Sequence, residues 1–268
     1  GSPAMQLESM LRLEPTALVA VPSFLVKLIE YANQKGVDLN TTSVTKIICI
    51  GESLRTHDLA LNVLGAKIKL GWDVNLFGTY ASTEMQTAFT ECKHGVGGHH
   101  HPELILVEVL DEKGNQVAAG EQGEVTITTL GVEGMPLVRY QTGDIATFYD
   151  EPCACGRNTI RLGPIVGRKQ QMLKLKGTTV YPPGIFEIIN NVKGVEDYVV
   201  EAVTNTLGMD DVILHVYAKD EIVMEDLRHH FQSVLRVVPS IKRVDRQVLE
   251  AIQFSGESRK VKRFLDNR

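Results

Sequence analysis

Four short polar segments carry side chains able to hold a nucleotide, a metal ion or a developing negative charge. Tyr80-Ala81-Ser82-Thr83-Glu84 packs a phenol, two hydroxyls and a carboxylate into five residues. It follows residues 73–77, which read as a strand, so these groups would stand at the carboxyl end of a parallel sheet, where α/β folds bind ligands. Tyr140-Gln141-Thr142-Gly143-Asp144 ends in a carboxylate after a glycine, and a carboxylate so placed can accept both hydroxyls of a ribose. Gly167-Arg168 sets a guanidinium where two apolar patterns meet, and it could reach a phosphate or a ribose. Ser258-Arg259-Lys260-Val261-Lys262-Arg263 is a basic run. Taken singly, each has an ordinary alternative: a polar strand-to-helix turn, a β-turn, a solvated linker arginine and a solvated helix start.

The cysteines form a separate signal. Cys153-Ala154-Cys155 has a spacing that suits a metal better than a disulfide framework. With Cys92 and one of His94, His99, His100 or His101 it supplies four ligands, the number of a closed, structural zinc site. The alternative is a pair of free surface thiols beside a polar histidine loop. Cys49, inside the apolar run 46–50, reads as a buried strand residue.

The elements that must position these groups follow from hydrophobic period. Residues 17–21, 46–50 and 73–77 read as strands separated by helical patterns at 23–34 and 56–64, and that alternation argues for βαβ units with parallel strands. Ser23 is the expected N-cap of the first helix and Gly36 its terminator. From residue 104 the pattern changes to strands with turns between them, at 104–110, 124–129, 137–140 and 145–149, with the turn Asp111-Glu112-Lys113-Gly114 after the first. This reads as an antiparallel sheet or barrel. Beyond residue 167, helical patterns at 183–191 and 224–237 mix with strands at 195–204, 212–218 and near Val244, a small α+β domain. The expected organisation is therefore α/β and α+β: a βαβ segment over 1–90, a β-rich subdomain over 91–166, and a small mobile domain over 169–268 after a large one ending at 168.

Composition narrows the classes. With 28 basic against 33 acidic side chains and a net charge of −5, the 268 residues offer no strongly basic face for nucleic acid. The most apolar stretch, 17–29, is broken by Pro22, Ser23 and Lys27, short of the roughly 18 apolar residues of a membrane span. The expected setting is cytoplasmic, with no membrane partner.

In order along the chain, the four segments resemble those of the adenylate-forming enzymes, and within them the phenylacetate-CoA ligase group. The resemblance rests on Tyr-x-x-Thr-Glu at 80–84, Tyr-x-Thr-Gly-Asp at 140–144, and Gly167-Arg168 ahead of Met172-Leu173-Lys174-Leu175-Lys176-Gly177 with Val180-Tyr181-Pro182 beyond. Gly51-Glu52-Ser53-Leu54 after the strand at 46–50 and the late Lys260 complete it. It implies ATP-dependent activation of a small carboxylic acid, aryl or arylacetic, as acyl-AMP, followed by transfer to coenzyme A. It also implies roles. Tyr80 would lie on adenine, Ala81 and Ser82 would sit in the nucleotide loop, Thr83 would bond the α-phosphate, and Glu84 would hold magnesium. Gly51, Glu52 and Ser53 would line the adenine pocket, Asp144 would take the ribose hydroxyls, and Arg168 would add positive charge near ribose and phosphate. Lys260 would be the catalytic lysine that stabilises charge as the adenylate forms. Rotation of the small domain would bring it in for one half-reaction and remove it for the other, with the hinge at residues 169–171. For zinc, the resemblance favours Cys92, His100, Cys153 and Cys155, with His94 the alternative to His100. A homodimer is left open as the assembly.

The pattern also departs from the group. Ala81 stands for a glycine, Gln170 for an acidic hinge residue and Arg259 for the glycine before the catalytic lysine. The Ser/Thr/Gly-rich loop ending in lysine, which cradles the triphosphate in longer members, has no counterpart; Gly95-Val96-Gly97-Gly98 lacks both hydroxyls and lysine. The expectation is a C-terminal portion of a ligase, inactive or severely weakened alone. Two other readings stand beside it: an adenylating enzyme with another acyl acceptor, and a non-catalytic zinc-stabilised binding domain.

Overall fold

The computed structural model describes residues 2–175, 177–206, 208–254 and 261–268. The chain divides into two compact units, Gly1–Val166 and Gly167–Arg268.

The first unit begins with α1 (Pro3–Leu13), β1 (Ala17–Ala20), α2 (Pro22–Gln34), β2 (Lys46–Cys49), α3 (Val63–Gly71) and β3 (Asn75–Ala81). The three strands are parallel, with Ala17 opposite Lys46 and Lys46 opposite Asn75. In α2 the residues Leu25, Leu28, Ile29 and Ala32 recur at helical spacing and are buried. Pro22 opens that helix, where the missing N–H costs nothing. The N-cap position falls to Val21 rather than Ser23, because the proline fixes the first helical residue. The next helix also starts later than the pattern 56–64 suggests. Leu59 takes a positive φ of 67°, Arg55 bridges Leu61, and Asn62 Oδ1 accepts the Gly65 N–H at 2.9 Å, so a turn occupies the expected helix and an asparagine cap starts the real one. The core here gathers Leu25, Ile47, Cys49, Ile68 and Trp72.

The sheet continues through β4 (Ala88–Glu91), β5 (Gly98–His99), β6 (Ile105–Leu110), β7 (Gln122–Thr129), β8 (Tyr140–Tyr149) and β9 (Arg161–Leu162). Its order is β1-β2-β3-β4-β5-β9-β8-β7-β6, antiparallel from β3 onward. The order has two ends, β1 and β6, so among the described residues no barrel closes. Of the strand expected at 137–140 only Tyr140 is strand; it opens β8, which takes in the strand expected at 145–149 and is interrupted by a bulge. Glu124 of β7 pairs with Ile145 and Thr126 with Gln141, so the single residue Val125 faces the three residues Thr142, Gly143 and Asp144. Gly143 supplies the positive φ of 76° that this detour needs.

One buried ion pair ties the loop after β2 to the sheet. Arg55 Nε lies 2.7 Å from Glu91 Oε1, while Glu91 Oε2 accepts the Gly78 N–H at 2.9 Å and Arg55 Nη1 donates to the Leu59 carbonyl at 3.0 Å. Burial, reinforced by Glu91, pushes the neighbouring Cys49 thiol up to about 12, which leaves it a neutral core residue.

The second unit carries β10 (Gly167–Arg168), β11 (Leu173–Leu175), β12 (Thr178–Val180), α4 (Pro182–Asn190), β13 (Val195–Thr204), β14 (Asp210–Ala218), α5 (Ile222–Leu235), β15 (Ser240–Arg243), α6 (Arg246–Gln253) and β16 (Phe264–Asn267). Its main sheet runs β15-β14-β13-β16, the central pair antiparallel and each outer strand parallel to its neighbour. Ile185 and Ile188 of α4 and Leu227 and Phe231 of α5 meet Val200 and Leu214 in one core. Helices α1 and α6 and strand β16 were not foreseen. Among the described residues no helix is long and apolar enough to cross a membrane.

Arg55→Ala leaves the Glu91 carboxylate buried without its partner. The expected loss is about 3–5 kcal/mol of stability, read as a lower urea midpoint in Trp72 fluorescence. An unchanged midpoint would contradict the structural role given to this pair.

Candidate functional site

The polar groups after β3 are exposed because the chain anchors itself one residue further on. Ala81 closes β3 opposite Ala88, Ser82 is extended, and Thr83–Met85 forms one 3-10 turn. Met85 is fully buried, which turns Thr83 and Glu84 outward. Gln86 then takes a positive φ and donates from Nε2 to the carbonyls of Leu104 and Leu130, at 2.6 and 2.9 Å, pinning the turn from below. Ala81 has an ordinary φ and an exposed side chain, so the alanine in place of glycine imposes no strain.

Asp144 meets this segment directly. The Tyr80 hydroxyl donates to Asp144 Oδ2 at 2.8 Å, joining two segments 64 residues apart. The bulge aims the carboxylate: Thr142 Oγ1 donates to the Val125 carbonyl at 2.9 Å and accepts the Asp144 N–H at 3.1 Å. Asp144 is only 9% exposed, so its carboxylate is sheltered and held.

The loop after β2 starts on Gly51, whose φ of 75° favours glycine. Glu52 faces α2: Oε2 accepts the Ser23 N–H and Oε1 the Ser23 hydroxyl, both at 2.8 Å. It therefore supplies the side-chain cap that α2 lacks at Val21. Ser53 donates to the Arg55 carbonyl at 2.9 Å. Arg168 falls in the second unit, and Lys260 lies outside the described residues.

A second cluster gathers Cys92, His99, Cys153 and Cys155, whose ligand atoms all lie within 4.8 Å of one another. Cys92 Sγ is 3.7 Å from Cys153 Sγ, and Cys155 Sγ is 3.5 Å from His99 Nε2. A tetrahedral ion with bonds of about 2.3 Å to sulfur sets two sulfurs about 3.8 Å apart, so the donor set fits zinc in kind and spacing. The histidine is His99, not the expected His100 or His94. His99 and His100 are consecutive in extended backbone, and their side chains take opposite faces. With His99 on the cysteine side, His100 goes to the other, where its Nε2 donates to the Ile105 carbonyl and its ring stacks on Phe89. The Arg157 backbone N–H draws the Cys155 thiol down to about 7, while burial raises that of Cys92 and depresses His99.

Residue spacing gave no sign of two arginines around this cluster. Arg157 Nη1 lies 3.6 Å from Cys155 Sγ. Arg161, itself buried, donates from Nη1 to the Val96 carbonyl and from Nη2 to that of Glu151, at 2.5 and 3.1 Å, thereby clasping the two loops that carry the cysteines.

No family model matches the chain. It is 28% identical over 215 residues to a phenylacetate-coenzyme A ligase of Thermus thermophilus, an alignment covering 79% of this chain and 47% of the relative. A phenylacetate-coenzyme A ligase of Pseudomonas putida is 25% identical over 232 residues, covering 82% of this chain and 49% of the relative. In structure, 2-hydroxyisobutyryl-CoA ligase in complex with R3-HIB-AMP matches 99% of this chain and 57% of its own with a TM-score of 0.78 at 21% identity, a likeness of fold. The chain spans about half the length of the curated relatives it matches.

Glu52→Ala removes the cap on α2. It should cost about 1 kcal/mol of stability, measured by chemical denaturation, with Ser23→Ala costing less because the Ser23 N–H keeps its acceptor.

Proposed function

We propose that this chain, related in sequence to phenylacetate-CoA ligases and folded like adenylate-forming CoA ligases, carries the adenosine-binding and lid portions of a cytoplasmic acid-CoA ligase. The whole protein would activate a small carboxylic acid, aryl or arylacetic, as acyl-AMP and pass the acyl group to coenzyme A. The observation that supports this most is the Tyr80–Asp144 hydrogen bond beside the exposed Thr83 and Glu84.

Each role follows from the chemistry of the side chain. Asp144, fixed by the bulge, accepts the ribose hydroxyls while Tyr80 holds its other oxygen and offers its ring to the adenine. The exposed Thr83 hydroxyl bonds the α-phosphate, next to Ala81 and Ser82 in the same turn. Glu84 is the oxygen ligand suited to magnesium, which would neutralise phosphate charge when bound. The loop at Gly51-Glu52-Ser53 walls the base, with Glu52 acting through α2 and not on the base itself. The resemblance assigns Arg168 positive charge near ribose and phosphate, and Lys260, outside the described residues, the stabilisation of charge on the α-phosphate as the adenylate forms. The acyl group then leaves AMP for the thiol of coenzyme A.

Zinc on Cys92, His99, Cys153 and Cys155 is the second part of the reading. All four positions being filled by protein, it would pin loops and take no part in the reaction.

Calorimetric titration of the chain with AMP tests the first part. Binding is expected, and Asp144→Ala should weaken it by about 1.5–3 kcal/mol through loss of charge-assisted hydrogen bonds. Equal affinity of the two proteins, or no binding by either, would remove the adenosine assignment. Metal analysis tests the second part. Protein purified without chelator should hold one zinc per chain, lost in His99→Ala and retained in His100→Ala; the reverse pattern would return the site to His100.

A further inference from the structure

Strands β7 and β8 are joined by residues 130–139, and a connection of that length does not by itself fix the register in which β8 returns. Register matters here, because a slip of one residue would turn the side chains of β8, Asp144 included, to the other face. On the near side of the bulge stand Ile127 paired with Tyr140 and Thr126 with Gln141, a short ladder to hold the strand alone. Side chains extend it. Thr129 Oγ1 accepts the Leu137 N–H at 3.0 Å while the Thr129 N–H reaches the Leu137 carbonyl at 2.9 Å, and Thr128 Oγ1 accepts the Arg139 N–H at 2.9 Å. The Arg139 guanidinium then reaches past β7 to β6, donating from Nε to Glu108 Oε2 at 3.1 Å and from Nη2 to Glu108 Oε1 at 3.2 Å.

Arg139 has a φ of 47°, in the left-handed region that a residue with a side chain enters only at a cost. Such a backbone persists where its surroundings hold it, and here both the N–H and the guanidinium are engaged. The ion pair is open to water, its side chains 55% and 27% exposed, but the two-pronged geometry is the one in which a surface pair contributes. We propose that Arg139 is a positioning residue: its fork on Glu108 and its N–H on Thr128 lock the near side of the bulge, and so set where the Asp144 carboxylate stands beside the Tyr80 hydroxyl. Three strands thereby share in aiming one carboxylate. Thr142 fixes the bulge from inside, through the Val125 carbonyl, and Arg139 fixes the chain that leads into it. The consequence for nucleotide binding rests on the adenosine reading given above.

Hydrogen–deuterium exchange on the whole chain needs no nucleotide, so the clamp is judged apart from that reading. In Arg139→Gly, peptides covering 139–145 should exchange about fivefold faster than in the wild-type protein, with those of β13 and β14 unchanged. Glycine adopts the same φ freely, so a residue that served only the turn would leave exchange unchanged or slower. Glu108→Ala should give the same acceleration, and the double variant no more than either single one, because all three remove the same contact. AMP affinity should fall about fivefold in both single variants. Exchange at 139–145 no faster in Arg139→Gly, effects that add in the double variant, or faster exchange with wild-type AMP affinity would each overturn the proposal. A wild-type chain that binds no AMP removes the adenosine reading alone, and exchange then decides the clamp.

Discussion

A single hydrogen bond, Tyr80 to Asp144, sets the shape that the first unit must adopt. Tyr80 lies on β3 and Asp144 on β8, and the sheet order places β4, β5 and β9 between them. Four strand spacings in a flat sheet amount to about 19 Å, more than the two side chains can span. The sheet must therefore curl until the ends of β3 and β8 face each other across a concave surface. The shortest strands on that path are β5 and β9, two residues each, where little ladder resists a bend. The bulge at Val125 completes the geometry by pushing Thr142, Gly143 and Asp144 off the regular path.

The cysteine cluster sits at this same constriction. Cys92 follows β4, His99 lies in β5, and Cys153 and Cys155 fall between β8 and β9. Two-residue strands are weak staples, and a metal ion joining their flanking loops would lock the curl that the Tyr80–Asp144 bond requires. Arg161 contributes from the protein side by bonding the carbonyls of Val96 and Glu151. The Arg55–Glu91 pair, reaching the backbone of Gly78, does the same for the loop after β2. Binding groups, fold and support are thus one structure rather than a site placed on a finished scaffold.

The sequence disclosed what depends on local period and little of what depends on pairing across the sheet. The strands at 17–21, 46–50 and 195–204 were legible because β-branched residues cluster there between turn signals, and they lie within one residue of β1, β2 and β13. The helix expected at 56–64 was not, since Leu59 at a positive φ and the Asn62 cap outweigh an apolar pattern that fits either register. The bulge in β8 was invisible because it is defined by the partner strand. His99 and His100 could not be told apart because the choice is one of parity, set by which face of the sheet the cysteines lie on. Arg55 and Glu91 are 36 residues apart and unremarkable singly; only the fold makes them a buried pair. The segments around Tyr80 and Asp144 were legible through their resemblance to a family, whereas the bond between them was not.

A structure determined with AMP bound tests the central claim most directly. The account predicts both ribose hydroxyls on the Asp144 carboxylate and the adenine against the Tyr80 ring, with the bulge unchanged. A nucleotide seated elsewhere, or Asp144 left without a ribose contact while AMP is bound, would contradict it.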